Sequence, residues 1–217
     1  MFVGDRMSHP VITVRPGLPI LEAHDIMRRE SIRRMPVVDE RGHLLGIVSQ
    51  SDILKASPSE ATSLSIWELN YLMSKIEVEK IMKRKVITVD VNTTIEEAAR
   101  ILADNKIGCL PVTKEGRLVG IITETNIFKI FLEMLAAREP GVRLSVLISN
   151  VPGELAKLTK AIYEAGGNII ALGTFLGIDS ENTEVTIKVN GAEIADIEKA
   201  VKGTVERILD IRETSSG

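Results

Sequence analysis

Over the first half of the chain, short apolar runs rich in β-branched residues alternate with stretches whose apolar positions lie three and four apart. VITV at 11–14 and again at 86–89 reads as a short strand. MPVVD followed by LLGIVS, with Gly42 in the turn, reads as a strand pair; LPVT and LVGIIT repeat it around Gly116. Thr94-Ile-Glu-Glu97 is a capping box, and Ile95, Ala98, Ala99 and Leu102 give the helix behind it an apolar stripe. The segment ASPSEATSLSIWELNYLMSK starts polar and turn-rich. Ser65 with Glu68 then caps a linker helix carrying Ile66, Leu69, Tyr71, Leu72 and Met73, with Trp67 packing it on the core. IFKIFLEMLAARE predicts another helix, stopped by Pro140-Gly141.

Beyond residue 140 the pattern restarts. Leu144, Val146 and Ile148 alternate as in a strand. Leu155, Leu158, Ile162 and Ala165 share a helical face that Gly166-Gly167 ends. An alternating strand follows (Val185, Ile187, Val189), then a helix with Ile194, Ile197 and Val201, then a strand with Val205, Leu209 and Ile211. The order β-α-β-β-α-β predicts a ferredoxin-like module.

The first half is a duplication. Val3–Lys55 lies over Val78–Lys129 at an offset of 75, which becomes 74 after the turn that loses one residue. Met7 falls on Met82, Pro36-Val37 on Pro111-Val112, Gly46 on Gly120 and Asp52 on Asn126. Each unit of about 50 residues reads strand, helix, strand, strand, helix. A unit so small cannot bury both faces of its sheet, whereas two copies packed together can. The expected divisions are 1–62 for the first repeat, 63–140 for the second with its linker helix, and 141–217 for the last module, in an α/β (α+β) chain.

Composition narrows the function. Hydrophobic residues are 44%, charged residues 26% and aromatic residues 3%, so the core rests on aliphatic side chains. The net charge of −3 argues against a nucleic-acid binder. One cysteine, no apolar run of membrane length and no signal-like start point to a cytoplasmic protein. His9, His24 and His43 lack metal spacing, Cys109 reads as a buried strand-edge residue, and neither a Gly-x-Ser-x-Gly nor a phosphate-loop motif occurs. No enzyme is expected.

The chemistry with most promise lies where GIVSQSD (46–52) recurs as GIITETN (120–126). A strand-to-helix turn presents backbone N–H groups to a polar ligand, and the Asp52 carboxylate offers two acceptors suited to a ribose diol. Ser49-x-x-Asp52 and Thr123-x-x-Asn126 read equally well as helix caps. Asn126 keeps one acceptor and no charge, so the Asp52 corner is expected to be the sharper of two unequal sites. Arg33 and Arg34 occupy the positions of Gly108 and Cys109 in the other copy. Arginine suits phosphate, or the two are solvated surface charges. Strand alternation predicts that at most one of them enters a given pocket.

These features together resemble a tandem pair of cystathionine-β-synthase (CBS) repeats over residues 3 to about 138: the doubled VITV, the Pro-Val strand, and the recurring Gly-apolar-apolar-Ser/Thr-x-x-Asp pattern. The resemblance implies a regulatory module binding AMP, ADP, ATP or S-adenosylmethionine between repeats, with no catalytic cofactor. By position it implies Asp52 on the ribose, Ser49 on ribose or phosphate, and Thr13 and Thr88 at the rims. Arg33 or Arg34 would meet phosphate, and Met35 and Leu110 would border adenine, with Pro36, Cys109, Pro111, Thr123 and Asn126 in the same corners.

The C-terminal module resembles an ACT domain through Asn150-Val151-Pro152-Gly153-Glu154-Leu155 and Ala165-Gly-Gly-Asn168-Ile169. That resemblance implies that these two stretches, Asn150–Leu155 and Asn168–Ile169, hold a small amino acid, or else only shape turns. The combination is similar to bacterial acetoin-utilisation proteins. A homodimer is expected, because the module's sheet leaves an apolar edge. A regulated protein partner is a further expectation; the alternative is a dimerising assembly module with vestigial pockets.

Overall fold

The structure, a computed structural model, describes residues 1–56 and 71–215. Ser65, Trp67, Glu68 and most of the expected linker helix lie outside the described residues; residues 71–74 are helical, and Met73 packs on the first repeat's core. The chain divides into two compact units, Met1–Ile127 and Phe128–Gly217.

In the first unit, helix α1 (Ile20–Arg29) buries Ile20, Ala23 and Met27. Strand β1 (Arg34–Val38) pairs antiparallel with β2 (Leu44–Ser49), which runs into α2 (Gln50–Ala56). A short helix α3 (Val78–Ile81) opens the second copy. There β3 (Val89–Asp90) lies parallel to β4 (Cys109–Lys114), α4 (Ile95–Asn105) intervenes in sequence, and β5 (Arg117–Thr123) leads into α5 (Glu124–Met134). Registers match between copies: Arg34 faces Ser49 as Cys109 faces Thr123, Val37 faces Gly46 as Val112 faces Gly120, and each ladder slips just after. Gly42 and Gly116 take positive φ (83° and 78°) at equivalent turns.

The copies interlock through their leading segments. Ser8 pairs with Ile121 of the second copy, and Lys83 pairs with Ile47 of the first. The methionine beside each pairing lies over the other copy's strand glycine. A Cβ on Gly120 would collide with Met7 Sδ, and one on Gly46 would meet both Met82 Sδ and the Lys83 carbonyl at 2.8 Å. Both glycines are needed because a side chain of the other copy fills the space a Cβ would take.

The doubled VITV forms less strand than expected. In the first copy Val14 alone pairs, with Val37; in the second the strand is Val89–Asp90. The residues before them, Ile12 and Thr13, Ile87 and Thr88, are exposed, so a single valine in each run has an apolar face to bury. The capping box at Thr94 is half formed. Thr94 Oγ1 accepts from Glu97 N at 3.3 Å, but the Glu97 carboxylate accepts from Arg100 instead.

The second unit contains β6 (Gly141–Ser149), α6 (Glu154–Glu164), β7 (Asn168–Leu176), β8 (Asn182–Asn190), α7 (Ile194–Val201) and β9 (Arg207–Thr214), with antiparallel strand order β7-β8-β6-β9. Leu144, Val146, Leu158, Ile162, Val185, Ile187, Ile197 and Val201 fill the core between sheet and helices.

Two expected core positions move out. Leu155 is 37% exposed in the opening turn of α6, beside the exposed Val151–Gly153 loop, and Ala161 packs inward instead. Leu209 is 39% exposed because the β6–β9 ladder slips between Ser145–Asp210 and Val146–Ile208, so Ile208 and Ile211 take the core side. The opposite face of the sheet is covered as well. Ser145 and Thr186 share a buried hydroxyl hydrogen bond of 2.9 Å. Lys188, 6% exposed, donates to the Ala136 carbonyl at 2.9 Å just past α5.

Candidate functional site

Each copy builds one corner at its last strand-to-helix turn. In the first, Asp52 Oδ2 accepts from Ser49 N at 3.0 Å and from the Ser49 hydroxyl, while Asp52 N donates to Ser49 Oγ at 3.3 Å. In the second, Asn126 Oδ1 accepts from Thr123 N at 2.9 Å and Thr123 Oγ1 at 2.6 Å, and Asn126 N donates back at 3.3 Å. Both turns are therefore reciprocal caps. The polar atoms that remain, a carboxylate oxygen in one copy and an amide nitrogen in the other, face the other copy's leading segment. Asp52 Oδ1 lies 3.7 Å from Lys83 Nζ, and Asn126 Nδ2 donates to Ser8 Oγ at 3.4 Å. Ser8 and Lys83 are themselves equivalent, 75 residues apart. The acid-to-amide change thus accompanies a lysine-to-serine change. One corner is a charged pair, with Asp52 only 10% exposed at its side chain; the other is a neutral pair.

A cleft of about 520 Å³ opens between the repeats on the Thr123 side. Of the residues singled out from sequence it gathers Arg33, Arg34, Pro36, Cys109 and Thr123, and it adds Ser8, Gly108, Glu124 and Thr125. Both arginines line it, against the expectation of one. Arg33 precedes β1 and is outside the pleat, so strand alternation does not separate it from Arg34. Arg34 reaches across to the other copy. A Cβ on Gly108 would sit 2.6 and 2.8 Å from its guanidinium nitrogens and 2.8 Å from Glu124 Oε2. Beside them burial pushes the Cys109 thiol pKa up, Glu124 adds to this, and Arg34 works against it.

The remaining singled-out residues are placed elsewhere. Thr88 borders a second recess of about 320 Å³ with His43 and Arg84. Met35, Leu110 and Pro111 are buried in their strands behind the cleft wall, and Thr13 is exposed. Ser49, Asp52 and Asn126 are held in the caps just described. Gly108, Glu124, Ser8 and Lys83 escaped the sequence reading. The overlay of the copies sets Ser8 on Lys83, but their part follows only from their contacts with Asn126 and Asp52, and Gly108 and Glu124 matter only through Arg34, a contact between copies.

In the second unit, Gly153 takes φ 98° at the N-cap of α6, and Val151 and Pro152 are exposed. Asn150 donates through Nδ2 to the Ser180 carbonyl at 3.2 Å and through its backbone N to Glu181 at 2.7 Å. Glu154 pairs with Lys157, and Leu155 flanks them. Asn168 Nδ2 donates to Asn190 Oδ1 at 3.0 Å, and Ile169 leans on the core. Asn150 follows Ser149, which faces Asn182; Asn168 faces Asn190. The two asparagines therefore lie at opposite ends of β8, roughly 27 Å apart along an extended strand. Within one chain they form no common site. Among the described residues no group of three or more His, Cys, Asp or Glu is placed to hold a metal, and no helix is long and apolar enough to cross a membrane.

Comparison with known proteins matches residues 3–59 and 78–133 to the CBS domain, and residues 140–212 to the TTHA0829-like ACT domain. Protein MJ1225 of Methanocaldococcus jannaschii is 34% identical over 137 residues, 59% of this chain and 46% of that protein. Inosine-5′-monophosphate dehydrogenase of Aquifex aeolicus is 32% identical over 187 residues, 84% of this chain and 36% of the enzyme. The chain thus spans less than half the length of these curated relatives.

Among solved structures, the CBS pair of protein MJ0100 in complex with 5′-methylthioadenosine and S-adenosyl-L-methionine aligns with a TM-score of 0.50 and 32% identity, over 60% of this chain and 95% of that one. An acetoin utilization protein (AcuB) from Vibrio cholerae aligns at 0.53 and 32%, over 64% and 98%. CBSX2 in complex with AMP aligns at 0.53 and 29%, over 61% and 97%.

Proposed function

We propose, since this chain belongs to the CBS-domain family and carries an ACT domain behind its two CBS repeats, that it is a non-catalytic regulatory sensor taking an adenosine nucleotide or adenosyl ligand between the repeats. The observation that carries this reading is the cleft of about 520 Å³ walled by both repeats and furnished with Arg33, Arg34 and the Thr123 turn. Its size suits a nucleoside-sized ligand. CBS pairs as a class are regulatory, and two aligned structures hold AMP, or 5′-methylthioadenosine with S-adenosylmethionine.

In this reading the backbone at Met35–Pro36 and Leu110–Pro111 borders adenine, Thr123 and Asn126 contact ribose, and the arginines take phosphate. The Asp52 corner, with Lys83 alongside, is the counterpart site; Thr88 borders the separate recess beside His43 and Arg84, and Thr13 is exposed. A ligand differing in affinity between conformations is enough to signal to a partner. The setting is cytoplasmic. An amino acid at the Pro152–Gly153 loop would use that loop's N–H groups. Asn168 of the same chain is out of reach, so a second copy completes such a site.

Dimerisation fits the exposed apolar residues on and beside edge strand β7: Phe175, Ile178, and Leu176 at 97% exposure. The second reading, an assembly module with vestigial pockets, is favoured by one fact: Asp52 and Asn126 are both already engaged as caps. Calorimetry and thermal unfolding with AMP and S-adenosylmethionine separate the two. A ligand at about 100 times its Kd adds about 2.7 kcal/mol of stability. No heat and no shift with either ligand would favour the assembly module.

A further inference from the structure

Resting on that reading of the cleft, we infer that it selects adenosine ligands by charge, admitting those with an anionic 5′ group over neutral and cationic ones, and that Gly108 sets this selectivity by admitting the Arg34 guanidinium. Three observations carry it. Arg33 and Arg34 come from the same short stretch and both line the cleft, where the second copy has Gly108 and Cys109 at the equivalent positions. The two stretches are complementary, since the residue that lacks a side chain in one copy seats the guanidinium from the other. A Cβ on Gly108 would stand within 2.6 Å of Arg34 Nη1, closer than nonbonded atoms approach, so the head group would have to leave.

Third, Glu124 Oε2 reaches the same point, 2.8 Å from that hypothetical Cβ. The cleft therefore holds two fixed positive charges and one carboxylate. An arginine fork matches a phosphate's oxygens, whereas a sulfonium or ammonium group would meet like charge. Glu124 tempers the field: its carboxylate lies beside Gly108 with the Arg34 guanidinium and opposes an incoming anion.

The test is the affinity of the full chain for AMP, adenosine, 5′-methylthioadenosine and S-adenosylmethionine at pH 7.5, read as ratios so that changes of cleft shape cancel. The parent is expected to bind AMP about tenfold or more tighter than adenosine, and S-adenosylmethionine more weakly than 5′-methylthioadenosine. Arg34→Ala is expected to lower the AMP-to-adenosine ratio about tenfold, with Arg34→Lys restoring part of it, since charge returns without the fork. Gly108→Ala should lower the ratio several-fold. Its clash is with a flexible side-chain end, so its thermal midpoint should stay near the parent's. Glu124→Gln should raise the ratio.

Adenosine and AMP binding equally, with Arg34→Ala without effect, would overturn charge selection and leave the adenosine cleft standing. A preference for S-adenosylmethionine over AMP would do the same. Failure of all four ligands to bind would overturn both.

Discussion

The two CBS repeats share a frame and differ at its corners. Registers, turn glycines and reciprocal caps coincide, yet the first corner sets Asp52 against Lys83 and the second sets Asn126 against Ser8. The caps show that an amide and a carboxylate make the same set of hydrogen bonds to close the helix. Closing the helix therefore does not account for the acid at position 52. What the acid adds is charge, which the lysine opposite compensates. The arginine stretch shows the reverse arrangement: Arg33 and Arg34 in the first copy are matched by the small residues Gly108 and Cys109 in the second. Duplication supplied two equal frames, and complementary substitutions made them interlock as unequal partners.

Substitutions that equalise the repeats probe this comparison most sharply. The largest effect is expected at the strand glycines. Gly46→Ala drives a Cβ into the Lys83 carbonyl as well as Met82, whereas Gly120→Ala meets Met7 side-chain atoms, which can turn aside. Chemical denaturation should show a loss of about 2–3 kcal/mol for Gly46→Ala and less for Gly120→Ala, the range of overpacked cores. Equal losses would mean that the two leading segments are held alike.

Next comes Lys188, whose buried ammonium is bonded to Ala136 in the second unit. Lys188→Ala removes the charged one of the two hydrogen bonds that this carbonyl accepts, the other coming from Glu139 N at 3.1 Å, and should cost about 1–3 kcal/mol by the same measurement. Asp52→Ala removes a cap and should cost about 1 kcal/mol. Asp52→Asn copies the second corner and should cost no more than a few tenths of that. If Asp52→Asn proves as damaging as Asp52→Ala, the two caps are not interchangeable and the comparison fails. The smallest effect is kinetic. Burial holds the Cys109 thiol's pKa up, so alkylation near pH 8 should run slower in the folded protein than in denaturant, where the depressed thiolate fraction recovers.

Much of this architecture is written in local patterns. The duplication, the strand pairs around Gly42 and Gly116, and the β-α-β-β-α-β order of the second unit follow from periodicity and turn residues. What escapes the sequence arises from contacts between distant segments. Leu209 faces outward because of a bulge opposite Ser145, and bulges leave no mark in alternation. Thr186 and Lys188 are the polar positions alternating with Val185, Ile187 and Val189, yet both are buried, Lys188 against Ala136 just past α5. Asn150 and Asn168 belong to one motif in sequence, yet α6 carries the chain to the far end of the sheet between them. The cleft follows the same division. Arg33, Arg34 and Thr123 stand out by residue type. Gly108 and Glu124 gain meaning only once Arg34 is seen to cross between repeats.

The most direct test is a crystal structure of the full chain soaked or grown with AMP, read as difference density in the cleft. The expected result is a nucleotide between the repeats, its phosphate within hydrogen-bonding distance of the Arg34 guanidinium and its ribose at the Thr123 turn. Density for AMP outside this cleft, or an unoccupied cleft at saturating AMP, would contradict it.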